Sequence, residues 1–455
     1  MRTMKRAVQI FIDRKIVICL FFFAVVLFLW GMQWPSIGAA LGIALCIVGF
    51  ASGAATVDLW IFIPLVLYNV YSFASSYMTY GTIMTGYACT QMYLPLLYLL
   101  TAYLCEDELA LLRRLWVIVA GGIAISGIAE FAYTAMGGGA VRMSGIMGNP
   151  NQLGIFLVVG YFALLGCGSG EGKKLYRFLL YLEPVFFISI ALTLSMGSMV
   201  AMAFGVAVLL IAKLRDAGLR EMLCFGCYLA AKAVVGFGLG FLLYIAAARV
   251  DSPLLCILLL AYLVLFVVLW GRFIAFLHHY KAVTIAIAVC SVLLAVAAIA
   301  IRPNSIETFA ERLEMMRNGI GYMMKYPVLG VGPYRWRQLN FLDGDTYFNV
   351  NHIHNAFIHA GTELGTPAML MLIAVAVRIF VKKGKNPSCR AAGVAFVVHN
   401  LIDAAFFNIT GTSMMLMVTA EPRKNGTRIG RTAARVIFAV FAAALAYQLY
   451  WYIMT

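Results

Sequence analysis

Charged side chains make up only 12% of this 455-residue sequence, roughly half the share a soluble chain of that size carries. That scarcity excludes a set of soluble globular domains, although length alone would suggest two or three. The ten cysteines show no pairing pattern. Nearly all sit inside apolar runs, where Cys behaves as a small hydrophobe. One CxxC occurs, Cys224-Phe-Gly-Cys227, with no second pair to complete a zinc site and no βαβ setting for redox chemistry. Acidic residues are fewer than basic ones, 19 against 34, for a net charge of +15. The cations cluster in short loops between apolar runs, which argues against a nucleic-acid partner and for the positive-inside pattern of membrane proteins.

What the sequence has in abundance is apolar residue: 63% of the total, with a mean hydropathy of +0.92. Runs long enough to cross a hydrocarbon layer of about 30 Å recur from end to end. Fifteen candidate spans can be drawn, at residues 16–32, 36–54, 57–75, 85–104, 115–135, 152–168, 176–194, 197–213, 222–247, 254–277, 282–301, 355–377, 391–407, 410–420 and 433–453. The expected fold is all-α: a polytopic transmembrane helical bundle of about 12–15 spans, forming one integral membrane domain over 1–455. The basic N-terminus precedes an apolar run with no small-residue cleavage site, so it reads as a retained first helix.

With the N-terminus placed in the cytoplasm, alternation puts Arg113/Arg114, Lys173/Lys174/Arg177, Lys213/Arg215/Arg220, Arg272/Lys281, Arg378 to Arg390 and Arg423 to Arg435 on the inner side. Two outward loops keep cations against this trend. One is residues 136–151 before a central span; the other is the large loop 302–354, expected to contain short helices. Cations held on the disfavoured side suggest anion binding.

In the first loop, Asn149-Pro150 favours a helix start, with Asn as cap and Pro at the first position. Arg142 lies seven residues earlier. Free N–H groups beside a guanidinium make an anion site, or an ordinary capped helix with a surface arginine. In the second, residues 312–325 read RLEMMRNGIGYMMK, with Met316, Ile320 and Met323 at helical spacing, as in an amphipathic interfacial helix. Residues 326–333, YPVLGVGP, cannot be regular helix and form an apolar turn.

Three of six histidines follow, His352, His354 and His359, with Glu363 just beyond. Metal ligation needs converging ligands. The zincin spacing is absent, and a helix starting near His354 turns His359 about 140° away from it. Structural roles are one alternative. A neutral imidazole beside arginines, able to take a proton, is another. A base with anion-holding arginines suggests group transfer from a phosphorylated lipid.

The chain here resembles the O-antigen ligase/polymerase-like family of membrane glycosyltransferases. Three stretches carry the likeness: Arg142-x-Ser-Gly-x-x-x-Asn149-Pro-Asn151; Glu311-Arg312-Leu followed by Tyr326-Pro-Val-Leu-Gly-Val-Gly-Pro333; and His354-Asn355 followed after nine residues by Gly365. They span about residues 140–370, in the family's order. Two positions depart from it. Ser195-Met196-Gly197 stands where members often have Ser-Arg-Gly, and Ala368 stands where ligases usually have Gly, Thr or Tyr. The resemblance implies a GT-C-type enzyme of the bacterial inner membrane, with its active site outside the cytoplasm, using neither metal nor other cofactor. Its donor would be an undecaprenyl-pyrophosphate-linked glycan, and its acceptor a glycan or lipid-linked hydroxyl. It further implies His354 as the base and Arg312 and Arg142 as holders of the leaving pyrophosphate. Arg317 would be a further candidate for that charge, and Asn149, Asn151, Asn355 and His352 would line or orient the site. A flippase for lipid-linked sugars is the competing reading, with Glu130, Glu183, Lys232 and Asp403 as candidate pathway charges. Ligase and polymerase differ only in acceptor, and the acceptor, the sugar and any chain-length regulator are not encoded in a recognisable motif.

Overall fold

The computed structural model describes residues 15–26, 35–82, 85–137, 141–167, 173–250, 252–290, 305–342, 350–381, 386–422 and 426–454. Arg302, the basic N-terminus, the end of the first apolar run and the loop cations Lys382, Lys383, Lys385, Arg423 and Lys424 lie outside these residues.

In chain order the elements begin with α1 (Lys15–Val26), α2 (Pro35–Ser52), β1 (Ala55–Val57), α3 (Leu59–Tyr80), α4 (Thr85–Thr101) and α5 (Glu106–Met136). Next come α6 (Pro150–Gly166), α7 (Lys173–Leu179), α8 (Leu182–Thr193), α9 (Met196–Ile245), α10 (Pro253–His279) and α11 (Lys281–Cys290). The chain continues through α12 (Ser305–Lys325), α13 (Arg335–Leu342), α14 (Ala356–Leu364), α15 (Thr366–Val381) and α16 (Pro387–His399). It closes with α17 (Ile409–Val418), β2 (Thr427–Ile429) and α18 (Arg431–Met454). Among the described residues the protein is all-α apart from one short antiparallel pair, β1 with β2, that pairs Ala55 with Ile429. Six helices among the described residues are long and apolar enough to cross a membrane.

Two compact units divide the chain. The first comprises 1–115, 310–385 and 399–455; the second comprises 116–309 and 386–398. In the first, α18 packs on α2, and α3 packs on α4 and α15. In the second, α6, α8 and α9 pack on one another, and α10 joins α9.

Segments 197–213 and 222–247 do form two helices, the arms of α9, which meet at the non-helical Gly218 (φ 84, ψ 174). Several other apolar runs do not form the helices that hydropathy draws. The run 355–377 is two helices, because Gly365 takes φ +96 between α14 and α15. The run 391–407 stops being helix at His399 and becomes turns through Asn408. The last short run forms only ten helical residues, α17, about 15 Å of rise, half a hydrocarbon layer. Hydropathy averages over such breaks because their flanks remain apolar.

The turn 326–333 explains the break at Gly365. Its strand of backbone lies along the C-terminal end of α14, where the last helical carbonyls lack intrahelical donors. Val331 N–H donates to Thr362 O and Gly332 N–H to Glu363 O, both at 2.9 Å. Thr366 N–H donates to Pro327 O at 2.9 Å. The backbones come so close that the space a Cβ on Gly365 would need is filled by the Val328 carbonyl, and that on Gly330 by the Glu363 backbone. Tyr80 and Ser75 of α3 donate their hydroxyls to Pro333 O and Leu329 O, each at 2.7 Å.

Gly365→Ala combines a positive φ with a backbone clash, and should cost about 3 kcal/mol of stability. Gly122→Ala, a helical position with open space around it, should cost nothing. Denaturant titration of both purified variants in detergent, followed by tryptophan fluorescence, checks the contrast.

Candidate functional site

The first unit brings α12, the start of α14 and the break after α16 together. Asn355 caps α14: its Oδ1 accepts from Phe357 N and Ile358 N, each at 3.0 Å. The helix therefore begins one residue after the His-Asn pair. The Asn355 Nδ2 donates to Leu401 O at 3.0 Å. The Ala356 N–H is shared between Asn400 O and Asp403 O, at 2.9 and 3.1 Å. Asn400 Oδ1 in turn accepts from Phe406 N at 2.7 Å. Two segments distant in sequence, 354–356 and 400–406, are thus laced together by backbone polar groups that each would otherwise leave unpaired.

His354 emerges from this seam. Its Nδ1 stands 3.5 Å from Asp403 Oδ1, an ion-pair distance rather than a hydrogen bond. Asp403 is fixed by its own backbone, its Oδ1 accepting from Ala404 N at 2.7 Å. Arg312 reaches in from α12, donating from Nη1 to Ile402 O at 2.8 Å, with Nη2 4.0 Å from Asp403 Oδ2. The arrangement is a histidine facing a buried carboxylate that faces an arginine. With the proton assigned to Nδ1, on the side of the carboxylate, Nε2 is the nitrogen able to accept a proton. His399, wholly buried at the end of α16, feels the charges of all three groups.

The other two histidines pair with each other. His359 Nδ1 accepts from the Ile353 N–H at 3.3 Å, so in this assignment its proton sits on Nε2, 3.1 Å from His352 Nδ1. His352 stacks on Phe407 and His359 meets the same ring edge to face. This pair anchors the extended chain that carries His354. Burial pushes the His352 imidazole down to about 4, against an upward pull from Asp403. Glu363 accepts from Tyr334 N at 3.0 Å and Trp336 N at 3.4 Å, capping the start of α13.

On α12 Met316 and Met323 are half-buried, and Met316 packs against the core around Met315 and Tyr322. Met315, Gly319 and Tyr322 are buried, while Ile320 is exposed. Ile353 and Thr362 close onto Gly319, and the Thr362 hydroxyl donates to its carbonyl at 3.0 Å. Arg312 faces Asp403, and Arg317 is exposed. Ala368 is buried among Tyr68, Ala360, Leu364 and Leu372.

The remaining candidates belong to the second unit. Asn149 (φ −139, ψ 119) caps α6, accepting from Asn151 N and Gln152 N. Arg142 donates from Nε to Thr193 O at 2.9 Å and from Nη2 to Asn151 Oδ1 at 2.8 Å. Ser195 caps α9, whose Ser198 hydroxyl donates to Asn151 O at 3.3 Å. A guanidinium therefore sits where two helices start. Met196 is the first residue of α9, so an arginine at that position would have added a second cation there.

Of the candidate pathway charges, Glu183 and Lys232 close on each other in the second unit. Trp270 Nε1 donates to Glu183 Oε2 at 3.2 Å, and Lys232 lies 4.6 Å from the centre of the Tyr228 ring. Glu130 is exposed and Asp403 belongs to the His354 cluster. Among the described residues no group of three or more His, Cys, Asp or Glu side chains is arranged to hold a metal ion. Asp403 and His399 were not assigned to the site from the sequence. Their signal was present: His399, Asn400 and Asp403 put three polar residues into five positions of an apolar run.

No protein-family model matches this chain, and no curated protein sequence matches it.

The half-buried His352, whose charged form is disfavoured by desolvation, makes stability depend on pH. Its folded value of about 4 lies below the ordinary 6.5, so the unfolded chain binds the proton first and stability falls as pH drops through that window. The unfolding midpoint should fall between pH 6.5 and 4, and His352→Gln should flatten that fall, as thermal denaturation at stepped pH will read.

Proposed function

We propose that this protein is an integral-membrane glycosyltransferase of the O-antigen ligase/polymerase type. It would move a glycan from an undecaprenyl-pyrophosphate carrier to an acceptor hydroxyl at the outer face of the bacterial plasma membrane. The observation that carries the proposal is the His354–Asp403–Arg312 cluster, built where one apolar run stops being helix after His399 and another starts at Asn355. Helix breaks inside an apolar layer are tolerated where the backbone is buried in protein or lines a polar cavity. Ionisable residues there mark functional sites more often than they serve packing.

The chemistry follows from the groups present. The acceptor O–H gives its proton to His354 Nε2 as its oxygen forms a bond to the anomeric carbon. The bond from that carbon to the pyrophosphate oxygen breaks, its electron pair leaving with the phosphate. Displacement in one step inverts the anomeric configuration. Asp403 holds the imidazole and stabilises the imidazolium that forms. Arg312 fixes Asp403 and the 402 carbonyl, and supplies positive charge beside the reacting centre. Arg142, at paired helix starts in the second unit, has the chemistry to hold an anionic leaving group. The acceptor separates polymerase from ligase: another lipid-linked repeat for the former, a lipid core or other terminal acceptor for the latter.

Contacts within the first unit support the membrane topology, with about 12–15 crossings, a cytoplasmic N-terminus and the 302–354 loop outside. Segments assigned to the cytoplasm touch one another: β1 pairs with β2, Arg378 bonds Asp58 at 2.8 Å, and Arg113 donates to Ala420 O at 3.0 Å. Segments assigned outside also meet, as Tyr80 meets Pro333.

In an assay of purified protein with lipid-linked donor and acceptor, His354→Ala should abolish transfer while expression and unfolding midpoint stay near wild type. Asp403→Asn should lower kcat by about 10²–10⁴-fold, the range for losing a base or its orienting partner. Arg312→Lys, which keeps the charge and loses the fork, should be severely impaired. Full activity in His354→Ala would sink the mechanism.

A further inference from the structure

The turn 326–333 is paired in a way that water would not require. Tyr326, Pro327 and Val328 are exposed, as is Met324 just before them, and each is apolar or aromatic. Yet the carbonyls of this stretch are met by protein donors. Tyr326 O accepts from Gly330 N at 3.0 Å and Pro327 O from Thr366 N at 2.9 Å. Val328 O accepts from the Tyr71 hydroxyl at 2.5 Å, and Leu329 O from the Ser75 hydroxyl at 2.7 Å. An exposed turn in water can leave its carbonyls to solvent. A turn in hydrocarbon cannot, and its backbone must be satisfied by protein.

Two helices fix the depth of the turn. α3 is long and apolar enough to cross a membrane. Its Tyr71, Ser75 and Tyr80 donate to Val328, Leu329 and Pro333 in that order, so the turn runs along α3. Tyr71 precedes Tyr80 by nine residues, about 13 Å of helix rise. α15, which packs on α3, gives a second measure. Its Arg378 bonds Asp58, the cap at the opposite end of α3, at 2.8 Å. Thr366, which bonds Pro327, lies twelve residues before Arg378, about 18 Å away, and Tyr71 lies thirteen residues after Asp58, about 20 Å. Both measures set residues 327–328 at one level, well short of the Tyr80 end of α3. The 16 residues of α15 rise only about 24 Å, less than a hydrocarbon layer of about 30 Å. The turn fills depth that α15 leaves open. Ile63, Leu67, Val70 and Tyr77 form an exposed apolar stripe on α3, the face a span turns to lipid.

We propose that residues 324–328 are re-entrant. Met324, Tyr326 and Val328 stand among the acyl chains of the leaflet at the Tyr80 end of α3, at the depth of Tyr71, and bilayer lipid covers them. Lys325 sits 5.6 Å from the centre of the Tyr322 ring, and its long stem lets the ammonium reach toward the headgroups. The outer loop thus turns back into the layer, and the backbone that pairs with the end of α14 is itself held there. This depends on α3 crossing the membrane and not on the transferase reading.

The test uses the full wild-type chain in phosphatidylcholine nanodiscs doped with a phospholipid that carries a diazirine midway along its acyl chain. After photolysis, mass spectrometry maps the carbene adducts. Adducts at 324–328 should come within about two-fold of those at 63–70 of α3. They should exceed by about five-fold those at 335–338, where Arg335, Arg337 and Gln338 are exposed polar residues beyond the Tyr80 end. A water-soluble diazirine should give the opposite order. A second measurement places the fluorescent amino acid Anap at Val328, Val70 or Gln338, one position at a time. Lipid brominated on its acyl chains should quench the probe at Val328 and Val70 about twice as strongly as at Gln338, and aqueous iodide should do the reverse. Adducts at 324–328 no more abundant than at 335–338, or iodide quenching at Val328 equal to that at Gln338, overturns the proposal. So does a stretch shielded from both reagents and cross-linked to a second copy of the chain, which would make it a dimer interface. The photolabelling needs no substitution, so a misfolded variant does not rescue the idea.

Discussion

A helix that stops inside an apolar layer exposes N–H and C=O groups that neither lipid nor side-chain hydrocarbon can pair. The first unit satisfies such groups by making its breaks face other breaks. The carbonyls at the end of α14 accept from the 331–332 backbone, and its first N–H groups are met by the Asn355 side chain and by Asn400 O and Asp403 O. Gly330 and Gly365 are required because a Cβ at either would push the two backbones apart. The pattern of histidine, small polar residue, nine residues and glycine thus has a physical content: cap, two and a half turns of helix, and stop.

Chemistry is a consequence of that lacing. A carboxylate could not stand in the middle of an uninterrupted apolar span without a partner. Once the run 391–407 breaks after His399, Asp403 is held by its own backbone and faces both an imidazole and a guanidinium. His352 and His359, adjacent in sequence to the candidate base, have a different task. They bond to each other and to the Ile353 amide, and so hold the short extended segment from which His354 projects.

How much of this was legible beforehand differs by feature. The helical membrane class follows from apolar run length and charge scarcity, which are summed properties and survive local error. The Asn149-Pro150 helix start was legible because capping is decided by neighbouring residues. The breaks at Gly365 and after His399 were not, since each depends on a backbone segment tens of residues away. Gly319 was not legible for a related reason: it has no side chain to weigh in a periodicity, yet Ile353 and Thr362 close onto it. Asp403 looked like an isolated charge in a span because its partners, Arg312 and His354, are 91 and 49 positions earlier.

The central claim is that the His354 cluster transfers a glycan and does not move a lipid across the bilayer. Purified protein in sealed proteoliposomes, given lipid-linked glycan donor in the outer leaflet only and acceptor outside, separates the two. The account predicts a glycosylated acceptor of inverted anomeric configuration and free undecaprenyl pyrophosphate in equal amount. Donor that redistributes between leaflets with no product formed would contradict it.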